Sequence, residues 1–330
     1  MSGIKDLIII SGMSVAMTVA AQDYIESFSH NKDFRGSDRT MQYAPAESGY
    51  IMSHNGKNLY TRALYGGHSL WRLETSDMPI FAAYHKKDNR NIRFEVTAGD
   101  RTMRLDSVTD CTALYRGGER VYHLSDPSWG KGSMTLTVVA AHDSEAAYWK
   151  VEANDMPKGS MLTAISSPTV KVKLNRSGDM GADPANCFAP DMSVTEGVGA
   201  SSILVGGKEK TVYAGYADRE VTFDNQKLLK GLFDKAWKDN GNLRDRLKIT
   251  TPDPYINTLG STLAAAGDGI WDGLTYQHGA VGWRMPLSGW RGAYTGDFLG
   301  WHDRARTHFD AYAASQVTDV SPAIPHPSQD

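Results

Sequence analysis

Asp297 and Asp303 are the two carboxylates whose types and spacing could do chemistry. Asp297 lies in TGDFLG, which reads as a glycine-rich loop just before a helix, and Asp303 follows six residues later in that helix's first turn. Hydrolysis of a glycosidic bond needs two carboxyl groups, an acid for the leaving oxygen and a base for water. Inverting enzymes hold the two about 6.5–9.5 Å apart. Asp297 belongs to the segment Trp271 to Trp301, which holds half of the eight tryptophans and seven glycines, with Arg284, Arg291 and Asp272 interleaved. Tryptophan is costly to expose and glycine is costly to order. Such a mixture suits the lining of a pocket better than a plain core or a linker. Indole faces stack on the apolar faces of sugar rings, while Arg and Asp hydrogen-bond the hydroxyls. Trp283, Arg284, Trp290, Arg291, His278 and Trp301 are therefore the candidate substrate contacts, and Asp297 and Asp303 the candidate catalytic pair.

Each of these residues also has a plainer role. Asp303 fits as an acid favoured by the helix macrodipole, and Asp297 as a cap or turn residue. Asp272, beside Trp271, is as ambiguous. The tryptophans can be core, since Trp is usually well buried. Arg284 and Arg291 can fork to structural carboxylates or to an acidic sugar, and His278 can be a satisfied loop histidine.

Other chemistries have weaker support. The chain has no HExxH, CxxC or P-loop motif, and His302 and His308 stand six apart on different helix faces. That spacing does not make a metal pair. Gly197-Val198-Gly199 and Gly267-Asp268-Gly269 do not complete a dinucleotide fingerprint. GGHSLW at Gly66 is not a nucleophile elbow. Neither a metal nor an organic cofactor is expected. A net charge of −3 and no run of Lys and Arg give no case for nucleic acid or an anionic membrane.

The elements that must position these residues follow from periodicity. Three hundred and thirty residues suggest about two domains. Period-two alternation dominates to about Val221. Ile92, Phe94 and Val96 alternate, turn at Gly99-Asp100 and continue through Met103 and Leu105. Trp149, Val151 and Ala153 alternate too. Ile203–Val205, Gly206-Gly207 and Thr211–Tyr216 read as a hairpin, as does the region around Asn55-Gly56. Short strands with frequent turns indicate an antiparallel sandwich.

From Asp224 the period is helical. Leu228, Leu229, Leu232, Phe233, Ala236 and Trp237 form one stripe, with Asp224 as N-cap and Gly241 as stop. A second helix opens at Asp253-Pro254 with Ile256, Leu259, Leu263 and Ile270. A third runs from about Trp301 to Val317 with Ala305, Phe309, Tyr312 and Ala313 inward. The expected domains are 22–223 β-sandwich, 224–248 helical linker and 249–330 the start of an all-α region. Two helices cannot close a core around a groove, so the chain reads as the N-terminal part of a longer protein.

The N-terminus, MSGIKDLIIISGMSVAMTVAAQD, reads as a signal peptide over 1–21. Lys5 precedes an apolar run too short to span a bilayer, and Val19 and Ala21 are the small residues before a cut at Gln22. A periplasmic or secreted location follows, with no membrane span. Cys111 and Cys187 could pair in an exported protein or be small buried hydrophobes.

The segments ITTPDPYINTLGSTLAAAGDGIWDG and HGAVGWRMPLSGWRGAYTGDFLGWHDRARTHFDAYAASQV resemble the opening of the (α/α)6 toroid of six-hairpin glycosidases. They are most similar to large exported proteins of gut Bacteroidetes in a family catalogued as of unknown function. LYTRALYGGHSLWRLETSDMPIFAAY resembles the β-sandwich that precedes the toroid there. The resemblance implies a mainly β chain with a C-terminal α region: a β-supersandwich, a linker helix and the first hairpin of an incomplete toroid. It also implies a glycan substrate and paired-carboxylate hydrolysis, with further catalytic acids on later helices. Alternatives are a non-catalytic glycan-binding protein and a polysaccharide lyase. Lyases of this kind usually run toroid first.

Overall fold

The structure, a computed structural model, describes residues 43–57, 62–66, 71–85, 88–170, 188–208, 210–277, 286–316 and 318. The expected signal peptide, Cys187, His278, Trp283 and Arg284 lie outside the described residues. The described strands are β1 (Ala44–Pro45), β2 (Ile51–His54), β3 (Arg62–Tyr65), β4 (Arg72–Thr75), β5 (Ile80–Tyr84), β6 (Arg90–Ala98), β7 (Arg101–Arg104), β8 (Asp110–Arg116), β9 (Glu119–Ser125), β10 (Ser133–Ala140), β11 (Ala147–Asn154), β12 (Met161–Pro168), β13 (Gly199–Leu204), β14 (Thr211–Ala217) and β15 (Glu220–Thr222). Helices follow: α1 (Gln226–Arg244), α2 (Pro254–Asn257), α3 (Leu259–Gly269), α4 (Pro286–Phe298) and α5 (His302–Ala314).

The strands form two antiparallel sheets. One has eight strands in the order β1-β2-β8-β9-β10-β11-β14-β15. The other runs β13-β12-β6-β5-β4-β3, with β7 paired to β6. The alternating apolar residues of both sheets meet in one core. Trp149 lies edge-on to Phe81 and Phe94, at 5.3 and 5.5 Å between ring centroids, and Phe81 is edge-on to Tyr122 at 5.7 Å. Such tilted aromatic pairs set the quadrupoles favourably as well as burying area. The β6–β7 hairpin turns at Gly99, whose φ is +60°, as the alternation indicates. Cys111 is buried in this core, and burial pushes its thiol up to about 12.

Two expected hairpins are instead crossings between sheets. β13 pairs with β12 in one sheet, while β14 pairs with β11 and β15 in the other. The chain changes sheet at Val205 and Gly206, whose amides both bond the Ser160 carbonyl. A Cβ on Gly206 would stand 2.1 Å from the Pro157 carbonyl oxygen, so the glycine serves close approach rather than a tight reversal. Likewise β2 pairs with β8 and β3 with β4. Asn55 is held by Cys111 through two bonds of 2.8 Å, its own amide donating to the Cys111 carbonyl and its side-chain oxygen accepting from the Cys111 amide.

α1 lies on the outer face of the eight-stranded sheet. Leu229, Phe233 and Ala236 pack on Val139, Tyr148 and Tyr213. Leu228 and Trp237, expected in the same stripe, are about half exposed. Asn225, not Asp224, caps the helix, its side chain accepting from the Leu228 amide. Gly241 does not stop it. The last turn continues to Arg244 because the sandwich holds it, with Asn240 donating to the Ala140 carbonyl at 2.9 Å and Arg244 reaching Glu119 at 3.4 Å.

Asp253 caps α2 as expected, accepting from Tyr255 at 2.8 Å. Ile256, Leu259 and Leu263 face outward, however, and α3 buries Gly260, Ala264, Ala265, Gly267 and Asp268 instead. The glycine-rich segment, expected to be a loop, contains α4. Gly292 and Gly296 let that helix close on the Tyr276 ring, since Cβ atoms there would stand 2.6 and 1.9 Å from Tyr276 atoms. The described α region therefore has four helical pieces rather than the two expected. In α5, Ala305 and His308 are buried, whereas Phe309 is partly exposed.

Candidate functional site

The residues capable of chemistry gather where the sandwich meets α3, α4 and α5. Asp272 orders the turn after α3, accepting from the amides of Leu274 and Thr275 at 2.9 and 2.6 Å and from the Gln277 side chain at 3.2 Å. This is an Asx-type turn made by a side chain that folds back on its own backbone. It brings Tyr276 back against Trp271, with ring centroids 4.9 Å apart. The Tyr276 amide donates to Nδ1 of buried His308 at 3.0 Å, which ties the turn to α5. Burial holds His308 below the ordinary histidine value, against the opposing pull of Asp272.

Arg304, on α5, sits over the Trp301 ring at 4.6 Å and the Trp271 ring at 5.8 Å, and donates to Asp268 Oδ1 at 2.7 Å. The other Asp268 oxygen faces Nδ1 of His142, 3.6 Å away in the β10–β11 loop. That loop also joins Asp143 to Lys235 of α1 at 2.8 Å and Glu145 to His85 at 3.8 Å. One short connection thus links the sandwich with α1 and with α3. The hydroxyl of wholly buried Tyr276 is packed against Gly296 of α4 and faces the Arg304 guanidinium, with the Asp268 and Asp297 carboxylates also in electrostatic reach. Burial is the main reason its pKa is pushed up to about 12.

Of the residues nominated from sequence, Trp290, Arg291, Asp297, Trp301 and Asp303 can be placed. Asp297 is in the last turn of α4, not in a loop, and pairs with His302 at 2.5 Å on the surface. Asp303 is in the first turn of α5 with its side chain 97% exposed, 3.7 Å from Arg306. The structure does not bring Asp303 into an enclosed site. Its position is the one where a macrodipole favours an acid. Two guanidinium groups, Arg246 and Arg304, lie over Trp301, whose ring therefore holds arginines. Trp290 stands edge-on to Tyr294 at 5.0 Å, with Arg291 over its ring at 5.3 Å. Tyr294 and Phe298 are 59% and 78% exposed. Trp290, Tyr294 and Phe298, spaced by four, form an aromatic row along one face of α4.

Sequence reasoning did not nominate Asp268, Arg304, His142 or Tyr276. Asp268 lay in a Gly-Asp-Gly triplet read only as a failed nucleotide motif. Among the described residues no group of three His, Cys, Asp or Glu side chains could hold a metal ion. No described helix is long and apolar enough to cross a membrane.

Fold and site together define a two-sheet antiparallel sandwich followed by a helical region, with a polar and aromatic seam between them. Over residues 89–242, from the start of β6 nearly to the end of α1, the chain matches a family described as a domain of unknown function, DUF4450. No curated protein matches the chain.

Proposed function

We propose that the chain is the leading part of an exported carbohydrate-active protein, similar to the six-hairpin glycosidases, that engages glycans along α4. The observation that carries this reading is the aromatic row Trp290, Tyr294 and Phe298. Four residues of helix rise about 6 Å, a step comparable to one sugar ring. Arg291 and Asp297 lie beside the row, where hydroxyls would need donors and acceptors. Exposed aromatic rows of this kind also suit the packing of further helices, as a toroid would require. In the catalytic form of the reading, Asp297 is one of two carboxylates acting on the glycosidic bond. A binding role without catalysis is favoured by one feature: Asp297 and Asp303 both have solvent-facing side chains, 59% and 97% exposed. Water-filled surroundings weaken the electrostatic stabilisation that hydrolysis needs.

Trp290→Ala tests the reading. Retardation of the chain in polysaccharide-containing gels should weaken by about 0.5–1.5 kcal/mol, the size of one aromatic contact beyond area loss. Asp297→Asn should leave retardation unchanged and reduce turnover if the carboxylate handles a proton. Unchanged retardation in Trp290→Ala would make the row a packing surface and end the glycan reading.

A further inference from the structure

The described residues begin at Tyr43, whose carbonyl accepts from the Tyr255 hydroxyl of α2 at 3.1 Å. From there β1 joins the edge of the eight-stranded sheet against β2. Thr258, between α2 and α3, keeps right-handed helical backbone, so the two helices present one continuous face. On that face Ile256, Leu259 and Leu263 are 41%, 47% and 45% exposed, spaced by three and four. Other sides of the pair are occupied, since Ser261 meets Gly117 and Gly260 lies against Leu247. An apolar stripe at this spacing is the face a helix turns to a partner. Three half-exposed side chains offer far less than the roughly 800 Å² per partner of a stable interface between free molecules. A partner tethered to the same chain fits the stripe better.

We propose that residues 24–42 of this chain fold back as a strap over Ile256, Leu259 and Leu263, with Tyr24, Ile25 and Phe28 as its apolar anchors. These residues precede Tyr43 and lie outside the described residues. Tyr24, Ile25 and Phe28 stand at i, i+1 and i+4, the spacing of one helix face, with Asp23, Glu26 and Lys32 between and around them to meet water. Reach is no obstacle. Phe28 and Tyr43 are 15 positions apart (43 − 28), up to about 50 Å of extended chain, while Ile256 and Leu263 lie about 10 Å apart along a helix. Tyr255 holds Tyr43 one turn before Leu259, so the strap starts at the end of the stripe it covers. Tethering of this kind gives an effective concentration on the order of millimolar. A small apolar contact can then form within one chain where two separate molecules would not associate.

Photo-crosslinking on the whole chain tests this. With p-benzoylphenylalanine in place of Phe28, irradiation should link position 28 to the peptide spanning residues 254–270. A mixture of isotopically heavy and light chains should show that the link forms within one chain. Links only to other parts of the chain, links between chains, or no link at all would each overturn the strap. Leu259→Glu and Phe28→Glu give a second readout. Leu259 is half-exposed, so its replacement should leave the far-ultraviolet circular dichroism unchanged, and Phe28→Glu alters none of the described residues. Trypsin cleavage after Arg35 and Arg39 should quicken by about tenfold in each variant, the worth of one buried apolar side chain when cleavage follows the open population. Equal cleavage in the parent and both variants would show that residues 24–42 are not held on this face.

Discussion

His308 shows how one side chain sets the state of the seam. Its Nδ1 accepts the Tyr276 amide, which a doubly protonated ring could not do. Burial lowers the pKa of His308, and does the same for His123 and His85. Between the lowered folded values and the unfolded value of about 6.5, the unfolded chain binds more protons than the folded one. Stability therefore rises with pH across that interval. The contribution is complete above about 6.5 and is lost as pH falls through the folded values. The urea midpoint should accordingly be lower at pH 5 than at pH 7.5. A flat profile between those values would show that these histidines are not held neutral. His308→Gln keeps an acceptor without titrating, so it should reduce the slope.

Among the elements, the β8–β9 hairpin is the wedge that sets α1 and α3 relative to the sandwich. Glu119 accepts from Tyr50 at 2.8 Å and from Arg116 at 2.9 and 3.1 Å, and Arg244 of α1 reaches the same carboxylate. The neighbouring Gly117 touches α3 so closely that a Cβ would stand 2.2 Å from the Ser261 carbonyl oxygen. Backbone cannot move aside as a side-chain tip can. Gly117→Ala should therefore destabilise by about 1–3 kcal/mol or more, as overpacking does, read from the urea midpoint. Gly99→Ala is the contrast. Gly99 has φ +60° and nothing within 4 Å of a built Cβ, so only the left-handed backbone is penalised, about 1–2 kcal/mol. A Gly117→Ala chain as stable as the parent would mean that the hairpin and α3 do not pack as described.

At the scale of the whole molecule, α1 belongs with the sandwich as much as with the helices it leads to. It covers Val139, Ala141, Ala146, Tyr148 and Tyr213 on the outer face of the eight-stranded sheet. Phe233→Ala should lower stability by about 3–5 kcal/mol, the usual range for a buried Phe, measured by denaturant unfolding. A fragment spanning 43–223 should bind a hydrophobic dye and aggregate, whereas 43–248 should not, because only the longer one hides that apolar face. Equal solubility of both would remove α1 from the core. The export reading is tested on the same scale. Expression in a Gram-negative host should give a mature chain beginning at or near Gln22, and an intact Met1 on a cytoplasmic species would refute it.

Sequence alone determined the features that rest on local spacing. Alternation of Ile92, Phe94 and Val96 with a glycine turn specifies the β6–β7 hairpin, because period two puts every second side chain on one face. The 3.6-residue stripe specifies that a helix occupies 226–244, and Asp253-Pro254 specifies where the next begins. Two strands flanking a Gly-Gly turn do not say whether they pair with each other. That was decided by Ser160 and Pro157, which draw Gly206 from one sheet toward the other. Seven glycines between Trp271 and Trp301 read as a loop, since glycine weakens an isolated helix. Two of them instead admit the Tyr276 ring, a partner no helix propensity can foresee. Asp297 and Asp303 were legible as acids beside a helix start, but not as solvent-facing ones. Asp268 was not legible at all. Its partners, His142 and Arg304, stand on a sandwich loop and a later helix, and only the packing of those two elements against α3 turns a lone aspartate between glycines into a buried, paired carboxylate.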